Sequence, residues 1–205
     1  AAIALANRLG DSAGAMKQLA EALNQDGRHR GALEMLANLA EETGDHALAA
    51  RALEGLVDVV DPDERPHVVT RRAKMVLAGG RVDEAAALLA DPSVASDPEA
   101  LEARIRIALE RGDIAAAAQT LDTLETVIRN AAGATKTAQV LLLKAEIMSH
   151  RRETAEAIAA CRRALALHPG VLGGATLLAK LLDGRVLAGT DAVAEKKNAT
   201  TEAQR

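Results

Sequence analysis

The chain contains no phenylalanine, tyrosine or tryptophan in 205 residues. Aromatic side chains bring the largest buried areas to ordinary cores, so an interior here has to be filled by Leu, Val, Ile, Met and above all Ala. Small side chains let helices approach closely. Two origins for such a composition stay open at this point, a biased natural sequence and a deliberate redesign. Cysteine is nearly absent as well: Cys161 stands alone, which excludes an intrachain disulfide and any multi-cysteine zinc site. No apolar run reaches the length of a bilayer-crossing helix, and no basic stretch followed by an apolar core opens the chain. Lys and Arg number 25 against 29 Asp and Glu, so no overall basic field exists and a nucleic-acid role is disfavoured.

Catalytic and cofactor signatures are missing too. No Gly-x-x-x-x-Gly-Lys-Ser/Thr, no Gly-x-Gly-x-x-Gly after a strand, no His-Glu-x-x-His and no Gly-x-Ser-x-Gly occurs. The histidines, His29, His46, His67, His150 and His168, include no i, i+4 pair, and metal ligands need convergence. Neither a metal nor a cofactor is expected, nor an enzyme.

What the chain does have is a ruler. Gly10-Asp11 and Gly44-Asp45 are 34 residues apart, Gly112-Asp113 lies twice that distance further on, and Gly80-Arg81 stands near the midpoint of the gap. A period of this length, with helical apolar spacing on both sides of each Gly, is the mark of helix-turn-helix arrays. Leu33, Leu36, Ala37 and Ala40 share one helix face by i, i+3, i+4, i+7 spacing. Gly44 then closes that helix and Asp45 caps the next, in which Ala49, Leu53, Leu56 and Val57 face inward until Asp61-Pro62. The same offsets recur in Ala15, Leu19, Ala22 and Leu23, in Ala117, Leu121 and Leu124, and in Ala157, Cys161, Ala164 and Leu165. The fold class is all-α, an α-solenoid of antiparallel helix pairs.

Six units follow, over residues 1–28, 30–63, 64–96, 97–131, 136–170 and a weak last one at 171–189. The opening helix reads as truncated and the chain as a piece of something longer. In the third unit Asp91-Pro92 shortens the second helix, and Ser93 to Pro98 forms a loop. An insertion carrying Gly133 stretches the spacing between Asn130 and Lys136. Residues 190–205 are polar without a helical stripe and read as a frayed end or disordered tail. Cys161 is expected to be a buried structural thiol.

With these residues in view the chain resembles the tetratricopeptide repeats. Leu33, Leu36, Ala37, Ala40, Gly44, Asp45, Ala49, Leu53 and Leu56 stand at the family's positions in one unit, and Leu141, Lys144, Ala145, Met148, Ala157, Cys161, Ala164 and Pro169 in another. Wherever the family wants an aromatic, Leu, Ala, Met or Cys replaces it. The resemblance implies a right-handed superhelix whose first helices line a concave groove for a protein or peptide partner. The carboxylate clamp of some members is not expected: its places hold Glu34, Asn38, Arg71, Glu99 and Ala103, of which only Asn38 agrees.

Groove-facing positions would gather Arg71, Lys74 and Arg106, with Asn38 one helix away, into a surface able to hold an acidic partner segment. The plainer alternative is a solvated face on which these cations pair with Glu102 and Glu110. The expected function is a non-enzymatic interaction scaffold, water-soluble, in a bacterial cytoplasm or periplasm, similar in its Ala and Arg content to repeat proteins of envelope and polysaccharide-export machines. The rival readings are the recruiting arm of a larger enzyme or transporter, an engineered aromatic-free array and, last, a nucleic-acid-binding repeat.

Overall fold

A computed structural model of the chain describes residues 11–129 and 133–184. Gly10 and the opening helix, residues 130–132 of the insertion, the end of the last unit and the polar tail lie outside the described residues. Every element among them is helical: α1 (Ser12–Gln25), α2 (Arg30–Thr43), α3 (His46–Val57), α4 (Arg65–Ala78), α5 (Val82–Leu89), a 3-10 turn (Pro92–Val94), α6 (Pro98–Glu110), α7 (Ile114–Ile128), α8 (Ala134–His150) and α9 (Thr154–Leu167). Residues 174–184 form a further helical stretch. No helix among the described residues is long and apolar enough to cross a membrane.

Three glycines of the repeat turns take the left-handed conformation. Gly44, Gly80 and Gly112 have φ of 76°, 77° and 72°, a conformation in which any Cβ is strained. The following Asp45 and Asp113 accept from the N–H groups of Leu48 and Ala116 at 2.9 Å, and Asp11 accepts from Gly14 at 2.7 Å. One turn broke the expected pattern. Arg152, which follows Gly112 by 40 residues because of the insertion, takes φ of 64° where the other repeats have glycine. The Glu153 side chain that follows makes no capping bond to α9.

The chain forms two compact units, Ala1–Ile107 and Ala108–Arg205. In the first, Leu33, Leu36, Ala37, Leu53 and Leu56 are buried together with Ala15, Leu19 and Val68, so the stripes of α1, α2 and α3 meet in one core. A neighbouring cluster joins Ala73 and Val76 of α4, Ala85 and Leu89 of α5, Val94, and Ala100, Ala103 and Ile107 of α6. In the second unit, α8 and α9 bury Leu141, Leu142, Ala145, Ala157, Cys161 and Ala164 against Val171 and Leu181. Alanine stands at many of these contacts, and its small volume replaces aromatic packing by close helix approach.

Two boundaries and one stripe differ from expectation. α3 ends at Val57, not at Asp61-Pro62, because Val59 and Val60 both turn back to the Leu56 carbonyl. α8 starts at Ala134, before the expected Lys136. Ala22, expected to face inward, is exposed. The short second helix of the third unit is present: α5 has eight residues, and Asp91 then caps the 3-10 turn through the N–H of Ser93 at 2.9 Å.

A cation recurs at a place where the repeat pattern calls for leucine. Arg72 on α4 reaches back to Glu54 on α3 at 2.7 Å, and Arg104 on α6 donates through Nε to the Leu89 carbonyl that ends α5 at 3.1 Å. In the second unit Lys144 on α8 does the same toward Glu125 on α7 at 2.9 Å. Their aliphatic stems lie along the core while the charge finds an acceptor on the preceding helix.

Candidate functional site

The candidate surface lies within the first unit, on α2, α4 and α6. Asn38 and Glu41 are one turn apart on α2, and Arg71 and Lys74 are one turn apart on α4, which places each pair on a common face. Arg71 Nη2 donates to Asn38 Oδ1 at 2.8 Å and to Glu41 Oε1 at 2.9 Å. Lys74 Nζ donates to Glu99 Oε2 on α6 at 2.8 Å. Two expected residues, Asn38 and Arg71, are therefore in direct contact, and Lys74 is their neighbour on α4. Arg106 lies two turns beyond Glu99 on α6 and is exposed.

Glu41 on α2 and Glu99 on α6 neutralise the two cations of α4. The reason is geometric: α2 and α6 flank α4 and carry acids at the height of its two cations. Sequence spacing alone does not give that pairing, although an acidic residue at matched register on α2 is a signal that would have found Glu41.

The same face continues toward the start of α2. Arg30 donates to Glu34 at 2.9 Å and to Glu64 at 2.7 Å, with Asp61 at 3.7 Å. The hydrogen bond to Glu34, then that to Glu64, raises the pKa of its guanidinium above the ordinary arginine value. In the first half of α4, buried Thr70 donates to Asp97 Oδ2 at 2.6 Å, while Asp97 Oδ1 accepts from the Glu99 N–H at the start of α6. Asp97 thus holds the backbone at Glu99, whose carboxylate meets Lys74. The face is an ionic lacing of three helices in which charge is balanced locally.

A concavity of about 520 Å³ opens beside the end of α5, lined by Val57, Arg65, Val69, Arg72, Leu88 and Pro92 among others. Its charges are internally matched: Arg72 holds Glu54 and Glu84, and Arg65 helps depress the Asp91 carboxyl, whose main cause of lowering is the hydrogen bond from Ser93. Among the described residues no group of three or more His, Cys, Asp and Glu side chains converges as a metal site. His29 instead caps α2, its Nδ1 accepting from the Ala32 N–H at 3.1 Å. Cys161 is fully buried, and desolvation, with a smaller push from Glu146, raises its thiol pKa.

No curated protein matches the chain. Among solved structures it is similar to the APC/C hetero-tetramer Cut9–Hcn1, at 15% identity and a TM-score of 0.69, over 88% of this chain and 35% of that one. BtubC from P. vanneervenii is similar at 15% identity and 0.62, over 97% and 92% of the two chains. A thermophilic tetratricopeptide repeat protein of Thermus thermophilus is similar at 18% and 0.61, over 85% and 92%. At these identities the likeness is one of fold, and this chain spans about a third of the length of the first of them. The tetratricopeptide repeat family model matches residues 34–98 and again 70–135, a stretch that runs from within α2 through α7 and includes Asn38, Glu41, Arg71, Lys74 and Glu99. By its helix pairs, its turns and this match, the chain belongs to the tetratricopeptide repeat family.

Proposed function

We propose that this chain is a non-enzymatic scaffold that takes an acidic segment of a partner protein or peptide on the face formed by Asn38, Arg71, Lys74 and Arg106. The tetratricopeptide fold is in general an interaction scaffold, and the family is typically non-enzymatic. The observation that carries the finer reading is the setting of Arg71. Its guanidinium is positioned by Asn38 on the neighbouring helix and stands one turn from Lys74, so two cations are presented side by side on a rigid element. Positioned, partly exposed cations form charge-assisted hydrogen bonds to carboxylates at little ordering cost.

The Ala and Arg content supports a bacterial setting in the cytoplasm or periplasm, and we place the scaffold in an envelope or polysaccharide-export assembly. The ruler of turns supports one repeat array over residues 1–189. Affinity capture with the wild type and with Arg71→Glu/Lys74→Glu/Arg106→Glu tests the reading: partners retained by the first are lost by the second. Identical sets of captured proteins, with helicity unchanged, would remove this surface as the binding face.

A further inference from the structure

We infer that Glu41 and Glu99 act as built-in competitors on the binding face, so that a partner carboxylate is taken only by exchange with them. The inference rests on the acidic-segment reading above and deepens it. Each of the two side-by-side cations of α4 already holds a carboxylate, at 2.9 Å for Arg71 and 2.8 Å for Lys74, and each of those carboxylates comes from a flanking first helix. The two contacts differ in depth. Arg71 and Glu41 have side chains 22% and 28% exposed, whereas Lys74 and Glu99 are each 44% exposed.

The chemistry of exchange follows. An incoming carboxylate gains Arg71 only if Glu41 moves off, and Glu41 then turns to solvent, where its charge is hydrated again. Asn38 remains hydrogen-bonded to Arg71 Nη2, so the guanidinium keeps its position while its acidic partner changes. Lys74 and Glu99, the more exposed pair, open first, and a partner with two neighbouring carboxylates engages Lys74 before Arg71. The ligand class is a polyacidic segment, since a single carboxylate gains no more than the internal one it displaces. Removing an internal carboxylate without changing its shape therefore strengthens binding.

Fluorescein-labelled hexaglutamate, titrated by anisotropy at low salt, is the test. Glu41→Gln and Glu99→Gln are expected each to bind it roughly two- to fivefold tighter than wild type, the span of a partly exposed ion pair. Adding Arg71→Ala to Glu41→Gln is expected to abolish that gain. A wild-type affinity that falls with Arg71→Ala but does not rise with Glu41→Gln or Glu99→Gln would overturn the exchange and leave the acidic-segment reading standing. No binding of hexaglutamate by any variant, including the Glu41→Gln/Glu99→Gln double, would overturn both. Circular dichroism of each variant guards against a folding defect, and should Glu41→Gln lose helicity, Glu99→Gln with Lys74→Ala carries the same comparison at the exposed pair.

Discussion

The guanidinium of Arg104 closes the end of α5 by donating from Nε to the carbonyl oxygen of Leu89 at 3.1 Å, with Nη2 directed at the same oxygen and Nη1 toward the Ala95 carbonyl at 3.5 Å. α5 has only eight residues, and the last carbonyls of any helix lack internal partners. A side chain from fifteen residues later supplies the donors that a further turn would have supplied. The Asp91-Pro92 break in the third repeat is tolerated because of this strap.

Arg104→Met keeps the aliphatic stem and removes the donors. Urea unfolding should report a loss of about 1–3 kcal/mol, the cost of leaving a partly buried carbonyl without its charged donor. Arg104→Lys should recover only part of it, because one ammonium cannot span both Leu89 and Ala95.

Leu53 is completely buried in the core shared by α1, α2 and α3. Leu53→Asp should abolish the helical circular dichroism signal at room temperature, since the substitution places an unpaired charge there. Lys74→Ala should leave the spectrum and melting temperature close to wild type. A Leu53→Asp variant with an unchanged spectrum would contradict this core.

Thr70 is the buried polar side chain of the described core, and its hydroxyl donates to Asp97. Thr70→Val keeps the shape and leaves Asp97 Oδ2 without that donor. Thermal melting should show a destabilisation of about 1–2 kcal/mol. Asp97 also caps α6, so Asp97→Ala should cost more than Thr70→Val.

Two backbone substitutions should act in opposite directions. Arg152→Gly relieves a left-handed conformation in a residue with a Cβ and should stabilise by about 0.5–1 kcal/mol, while Gly44→Ala imposes that strain and should destabilise by about 1 kcal/mol. Equal signs for the two, measured as shifts in urea midpoint, would contradict the turn assignment.

The raised thiol pKa of Cys161 has a definite sign. The folded chain keeps the proton at pH values where the unfolded chain has released it, so the contribution is whole below the ordinary thiol value and is lost as pH rises from there through the raised folded value. Stability measured by urea unfolding should therefore decline above about pH 8.5, and Cys161→Ala should flatten that decline. Labelling of the thiol by Ellman's reagent should be slow in the native chain and fast in denaturant, because burial hides the nucleophile.

Much of the helical order was legible in the residues. The repeat period, the left-handed glycines at 44, 80 and 112, the capping aspartates and the apolar stripes around Leu33, Leu53, Leu121 and Cys161 are local properties: each depends on spacing within one or two helices and on the conformational freedom of a single backbone position. Arg152 escaped because a non-glycine turn carries no signal in composition, and Ala22 because alanine is at home on either side of a helix. The partners of Arg71, Lys74, Arg72 and Arg104 belong to another level. Which carboxylate or carbonyl a long cation meets is fixed by the relative height and rotation of neighbouring helices, and that is set by how their alanines and leucines pack. The sequence by itself determined what the repeating unit is; only the packed structure decided that Glu41 and Glu99 stand on the cations of the candidate face, because side chains from residues far apart in the chain meet only once the helices are side by side.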